Sequence, residues 1–369
     1  MTLSWQRILQ VDATMGFNIV KFVIFLLVFI SSIFFLHVLA SRTLTGEPYE
    51  GKKKRHLANG VFSVAGLSKN IMRLSDVFAW QFYKKDNKKW HESYTSDSVP
   101  YVPLSSSEYT RATFINHSTV LIENEGLTII TDPLFTTYAS PVPYIGPKRH
   151  HDPYLSLESI PVLDVVLISH CHYDHLSIES IRQIESKFSP QYLVPLNNGQ
   201  FLRKAGVAKQ RIVELDLFEQ YEYKSAQFTL EKAQHWSSRL IFDRNRYLWG
   251  SFMIETQNKK IFFAGDTGYN NHFKELKEKY GSIDFALLPI GAYEPTWFMK
   301  TSHMDPSTAV LAAKELDVAK AMAIHFGTFK LTDEGRHDPE RAMSKALVEH
   351  EYTNNFLVPT IKNGVSIEF

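Results

Sequence analysis

Three histidines and an aspartate fall within six residues in the run "VVLISHCHYDHLSIES": His170, His172, Asp174 and His175, with Cys171 among them. His170 and His172 are two apart, so on an extended segment leaving a strand both imidazoles point to one side and Cys171 to the other. Two neutral imidazoles on one side can share a metal. Asp174 and His175 arrive as the chain turns towards a helix beginning near Leu176, where they can face a second metal. So much imidazole and carboxylate in one short stretch costs solvation for no packing gain unless a cation is bound. Nitrogen and oxygen donors of this kind suit zinc, and also manganese, iron or cobalt.

Four ligands leave coordination positions open, as catalytic metal sites require, and distant residues must complete the set. The candidates are His235 in "AQHWSSR", Asp266 in "FFAGDTGYN" and His325 in "AIHFGTF". A carboxylate such as Asp266 can bridge two metals. A metal pair acidifies a bridging water towards neutral pH and neutralises charge on a carbonyl or phosphoryl oxygen, so the implied chemistry is hydrolysis without an organic cofactor. No G-x-x-x-x-G-K phosphate loop is present. His56, His91, His337 and His350 are read as structural.

The elements that must position these groups follow from periodicity. Short apolar runs, "TVLIE", "LTIITDP", "VVLISHCH", "FFAGDTG", "FALLPIGAYEP" and "AMAIHFGTF", alternate with helical patterns over Leu176–Phe188, His272–Tyr280 and Pro306–Glu315. The alternation predicts an α/β layered domain. Asp132, His170, His172, Asp174, His175, Asp266 and His325 all follow strand-like runs, and in α/β sheets ligands bind beyond the strands' carboxyl ends.

The 369 residues suffice for a sizeable core, and forty basic against thirty-nine acidic side chains leave no field to attract nucleic acid. One cysteine cannot form an intramolecular disulfide. Phe22 to Ala40 carries no formal charge, and a helix of that length matches a bilayer's hydrocarbon thickness, so a transmembrane helix over about 22–40 is predicted; a cleaved signal peptide is the rival. Arg42, Lys52, Lys53, Lys54 and Arg55 follow it, which places the hydrolase domain in the cytoplasm of a single-pass membrane protein. Leu67, Ile71, Leu74 and Phe78 mark one face of a helix that either lies on lipid or packs on the following domain. The expected organisation is a membrane-spanning segment (1–42), a basic linker with an amphipathic helix (43–108) and a hydrolase domain (109–369).

The metal motif resembles that of the metallo-β-lactamase superfamily. The further runs "TDPLFTTYASPVPYIGPKR", "YLWGSF", "FFAGDTGY", "PIGAYEPTWFMK" and "MAIHFGTF" are similar, over about Arg111 to Phe369, to the N-acylphosphatidylethanolamine-hydrolysing phospholipase D branch. The resemblance implies a four-layer αββα sandwich with two zinc ions, one held by His170, His172 and His235, the other by Asp174, His175 and His325, with Asp266 bridging. It also implies that Asp132 orients a ligand histidine and that His303 in "SHMDP" faces substrate, where the residues alone allow His303 to cap the helix starting near Pro306. Asp174, Asp266 and His303 are the catalytic candidates. Cys171 and Ser302 depart from the branch, at positions that bear on substrate choice. The expected substrate is N-acylphosphatidylethanolamine or a related glycerophospholipid, cleaved to phosphatidate and N-acylethanolamine at a membrane; a homodimer is compatible with the sequence, which does not fix the oligomeric state. Two rival readings are a hydrolase of a soluble substrate such as a sugar-phosphate lactone, and a non-catalytic metal-binding module at the membrane.

Overall fold

A computed structural model describes residues 21–29, 31–32, 45–51, 57–64, 74–82, 88, 90, 100–104, 109–142, 144–240, 242–353, 355–359 and 366–369. The chain divides into two compact units, Met1–Gly46 and Glu47–Phe369. In the first unit the described residues form a helix over 21–29 with two further helical residues at 31–32; the rest of the predicted span lies outside the described residues. No helix among the described residues is long and apolar enough to cross a membrane. The transmembrane helix, and with it the single-pass membrane placement and its cytoplasmic orientation, are thus corrected: the uncharged composition of 22–40 is not matched by a described helix of spanning length.

The second unit is built on two seven-stranded sheets. One has the order β16 (Ser366–Glu368), β3 (Thr110–Asn116), β4 (Thr119–Asn124), β5 (Leu127–Thr131), β6 (Val165–Leu167), β7 (Gln191–Pro195), β8 (Ile212–Leu215). The other runs β15 (Phe356–Leu357), β14 (Val318–Ile324), β13 (Ile283–Pro289), β12 (Lys260–Phe263), β11 (Ser251–Glu255), β10 (Ala226–Glu231), β9 (Gln220–Tyr223). Each sheet pairs antiparallel in one half and parallel in the other, β5 to β8 in the first and β12 to β15 in the second. The parallel strands are Val-, Ile- and Leu-rich with both faces covered, as parallel pairing demands.

Three apolar clusters define four layers. Between the sheets lie Phe114, Ile122, Val165, Leu193, Phe228, Phe252, Phe263 and Ile324. Outside the first sheet, helix α2 (Ile178–Lys187) buries Ile181 and Ile184 against Val166 and Tyr192, beside α3 (Gly199–Lys204). Outside the second, α4 (His272–Tyr280), α6 (Pro306–Glu315) and α7 (Asp338–Glu349) cover Phe262, Ala286 and Ala321. This αββα sandwich is the layering expected.

The segment before β3 is more than a linker. β1 (Leu57–Ala58) and β2 (Val61–Phe62) form a hairpin that buries Phe62 in the inter-sheet core. Helix α1 (Leu74–Phe82) packs on the hydrolase unit: Trp80 stacks on Phe298 of α5 (Thr296–Met299), with ring centroids 5.3 Å apart, and donates Nε1–H to Asp333. Leu67 and Ile71 of its predicted face lie outside the described residues, as do His56 and His91.

Candidate metal centre

All seven predicted ligands meet at one edge of the sandwich, six of them beyond the carboxyl ends of parallel strands. Asp132 follows β5; His170, His172, Asp174 and His175 follow β6; Asp266 follows β12; His325 follows β14. The other loop at this edge, after β10, brings His235. Tight backbone geometry sets the approach. Asp132, His325 and the unpredicted His117 all carry positive φ (33°, 60° and 47°), strain of the kind concentrated at functional sites. Gly291 runs so close beneath His325 that a Cβ there would meet its carbonyl oxygen at 2.0 Å.

Two clusters result. In the first, His172 Nδ1 faces His170 Nε2 at 2.8 Å and His235 Nε2 at 3.2 Å. The outward nitrogens settle the tautomers. His170 Nδ1–H donates to Ser169 Oγ, which donates in turn to Asp132; His235 Nδ1–H donates to the Ser302 carbonyl. The inward Nε2 atoms of His170 and His235 therefore carry lone pairs, as metal-binding imidazoles do when their other nitrogen is held. Three imidazole nitrogens converge where a single proton relieves at most one contact, and a cation relieves them together. Burial presses the same way: it pushes His172 and His235 down to about 3 and His170 well below its ordinary value, so none is protonated near neutrality.

The second cluster holds Asp174, His175 and His325. Asp174 Oδ2 lies 3.4 Å from His175 Nε2 and 3.3 Å from His325 Nε2. Asp266 Oδ2 is 3.2 Å and 3.1 Å from the same nitrogens, and 3.8 Å and 4.0 Å from His235 and His170 of the first cluster, so it stands between the two. The separations of 3.1–3.4 Å within this cluster match the roughly 3.3 Å edge of a tetrahedron with bonds of about 2.0–2.1 Å. Burial opposes charge on both carboxylates, yet His175 first, and then His117 on Asp174 and His325 on Asp266, hold them well below the ordinary carboxylate range. Burial likewise opposes charge on His175 and His325; Asp266 and Asp174 outweigh it, holding His175 well above its ordinary value and His325 up to about 9. Asp266 Oδ1 and His175 Nε2 are buried without a hydrogen-bond partner, as expected of groups awaiting a metal.

His303 also arrives, its Nδ1 3.8 Å from Asp266 Oδ2. It does not cap α6: Asp305 does, accepting from Thr308 N–H, with Pro306 in the first turn. His303 instead borders a cleft of about 280 Å³ lined by Gln234, Tyr269, Tyr293, Lys300 and Thr308. Cys171 points away, fully buried beside Ile115 and Tyr247, and burial pushes its thiol up to about 12. His337 pairs with Glu340 and His350 with Ser307, neither near the centre.

Three contributors escaped sequence reasoning. Ser169 relays between His170 and Asp132. Arg239 sends Nη1 to the carbonyls of Cys171 (2.8 Å) and Leu176 (2.7 Å), gripping both ends of the ligand-bearing turn, with its guanidinium 3.8 Å from the Tyr173 ring centre. His117 lies in the β3–β4 turn with Nε2 3.1 Å from Asp174 Oδ2. The polar "NHS" interrupting an otherwise apolar hairpin was its one visible sign.

Fold and centre together define a metal-dependent hydrolase of metallo-β-lactamase architecture. Residues 128–326 match the family described as beta-lactamase superfamily domain. An N-acyl-phosphatidylethanolamine-hydrolyzing phospholipase D 1 of Caenorhabditis elegans is 34% identical over 264 residues, covering 69% of this chain and 74% of its own. The mitochondrial protein of that name from Saccharomyces cerevisiae is 34% identical over 225 residues, 59% of this chain and 47% of its own. Among solved structures, the metallo hydrolase Igni18 of Ignicoccus hospitalis superposes with a TM-score of 0.52 at 21% identity, covering 71% of this chain and 98% of its own. The chain belongs to the N-acylphosphatidylethanolamine-hydrolysing phospholipase D family of the metallo-β-lactamase superfamily.

Proposed function

We propose that this protein hydrolyses N-acylphosphatidylethanolamine, or a closely related glycerophospholipid, to phosphatidate and N-acylethanolamine. The observation that carries the reading is the joining of two ligand clusters through Asp266 in a chain 34% identical to a phospholipase of that name. His170, His172 and His235 would hold one zinc ion, Asp174, His175 and His325 the second, with Asp266 shared. When bound, such a pair supplies Lewis acidity towards a phosphoryl oxygen and a water acidified towards neutral pH.

The chain's own groups do the rest. Asp132, Ser169 and the Ser302 carbonyl fix the ligand imidazoles, so their lone pairs stay aimed without reorganisation. Lys300 is the cationic side chain among the described residues lining the cleft, and it matches the single negative charge of a phosphodiester. His303 is pushed down to about 3 by burial, so at neutral pH it is an uncharged imidazole at the cleft wall, suited to hydrogen-bonding the phosphoryl group rather than acting as a cationic acid. Water's oxygen joins phosphorus, the bond from phosphorus to the ethanolamine oxygen breaks, and that oxygen leaves protonated.

A second reading has an observation of its own. Gln234, Thr296, Thr301, Asp305 and Thr308 put polar groups on the cleft wall, which also suits a water-soluble phosphoester. Purified zinc-loaded protein given N-acylated phosphatidylethanolamine in mixed micelles decides between them. Release of phosphatidate with N-acylethanolamine is expected; no phosphatidate, alongside turnover of a soluble phosphodiester, overturns the lipid reading.

A further inference from the structure

We propose that His117 is a positioning residue of the metal centre, donating Nε2–H to Asp174 Oδ2 and so holding that carboxylate in place for the second metal. The proposal rests on the seven residues above being ligands and adds an eighth member to the site.

The backbone at His117 is strained and anchored. Its φ of 47° is a left-handed conformation that is strained for a non-glycine residue, and the tight β3–β4 turn would accept Asn or Gly there more readily. The turn is held from both sides. His117 N–H donates to Thr328 Oγ1 at 3.0 Å, and its carbonyl accepts from His325 N–H at 2.8 Å, tying a hairpin of the first sheet to a ligand-bearing loop of the second. The side chain is fully buried, its ring centre 4.0 Å from that of His325 and edge-on to Phe329 at 5.4 Å. A strained position that delivers a buried imidazole to a ligand carboxylate is maintained for the contact it makes.

The surroundings offer His117 Nε2–H an acceptor, and the test below separates a donor from a further ligand. Three of the five ligand histidines, His170, His175 and His235, secure their outward nitrogen on Ser169, Asp132 and Ser302. Nδ1 of His117, like that of His325, has no partner, and its Nε2, 3.1 Å from Asp174 Oδ2, is at hydrogen-bonding distance. Asp174 needs such a hold: its side chain keeps 13% exposure, against 2% for Asp266.

The test is zinc titration of metal-free protein against a chromophoric chelator, with zinc content measured after dialysis. Wild type is expected to bind two equivalents; failure there would sink the ligand reading itself, separately from the role of His117. His117→Gly removes the side chain while relieving the left-handed strain. It should retain one tight equivalent and bind the second roughly 10–100-fold more weakly. His117→Gln, whose amide places a donor near the Nε2 position, should recover affinity to within a few-fold of wild type, and it reads the same quantity if the glycine variant folds poorly. Two unchanged equivalents in His117→Gly would overturn the proposal. So would second-site affinity as weak in His117→Gln as in His117→Gly, the result expected of a lost metal ligand.

Discussion

His175 Nδ1–H donates to Asp132 Oδ2 at 2.6 Å, with both side chains fully buried. The same carboxylate accepts from Ser169 N–H at 2.7 Å and Ser169 Oγ–H at 2.5 Å, so one aspartate at the end of β5 controls the tautomers of His175 directly and of His170 through Ser169. Asp132→Asn keeps the shape but puts an amide where an acceptor is needed. We expect zinc affinity to fall about 10–100-fold with little change in far-UV circular dichroism. Unaltered affinity by chelator competition would remove Asp132 from the metal centre.

Arg239 acts on the same turn from below. Its two hydrogen bonds to the Cys171 and Leu176 carbonyls are buried and charge-assisted, each of a class contributing roughly 1.5–3 kcal/mol. Arg239→Met should therefore destabilise by about 3 kcal/mol or more, read from urea midpoints, and Arg239→Lys should recover only part of that, because a point ammonium cannot reproduce the planar stack on Tyr173. Equal stability of the lysine variant and wild type would show that the fork geometry is immaterial.

These two cases show what was legible beforehand. His170, His172, Asp174 and His175 lie within six residues, and period-two alternation alone separates the imidazoles from Cys171, so the cluster needed no tertiary information. Asp266, His235 and His325 were visible as polar residues punctuating apolar runs. Arg239 and His117 act through contacts between elements far apart in the chain, and a lone arginine or histidine carries no local mark of that. The membrane span failed for a different reason: uncharged composition over 22–40 speaks to hydropathy alone, and among the described residues no helix is long and apolar enough to cross a membrane.

His303 separates catalysis from metal binding. It contacts none of the first-cluster nitrogens as a hydrogen-bond partner among the described residues, and it borders the cleft. Under the phosphodiesterase reading, His303→Ala should lower kcat about 10²–10³-fold while zinc content stays at the wild-type value. Loss of zinc in parallel with activity would reassign His303 to the ligand set.

His272 is outside the ligand set and offers an acid-sensitivity test. Burial, reinforced by Lys232, pushes it down to about 3, and its nearest polar contact is Thr267 Oγ1 at 3.3 Å. The unfolded chain takes up this proton near pH 6.5, and the folded chain does not until about pH 3. The stability tied to a neutral His272 is therefore complete above pH 6.5 and is lost as pH falls through the window down to about 3. His151, pushed down to about 4 mainly by burial, adds to the same slope, so the remedy for one residue is partial. For metal-free protein, wild type should lose about 2 kcal/mol more than His272→Gln between pH 6.5 and 5. Denaturant midpoints at the two pH values check it, and parallel losses in both proteins would mean that His272 does not stay neutral in the fold.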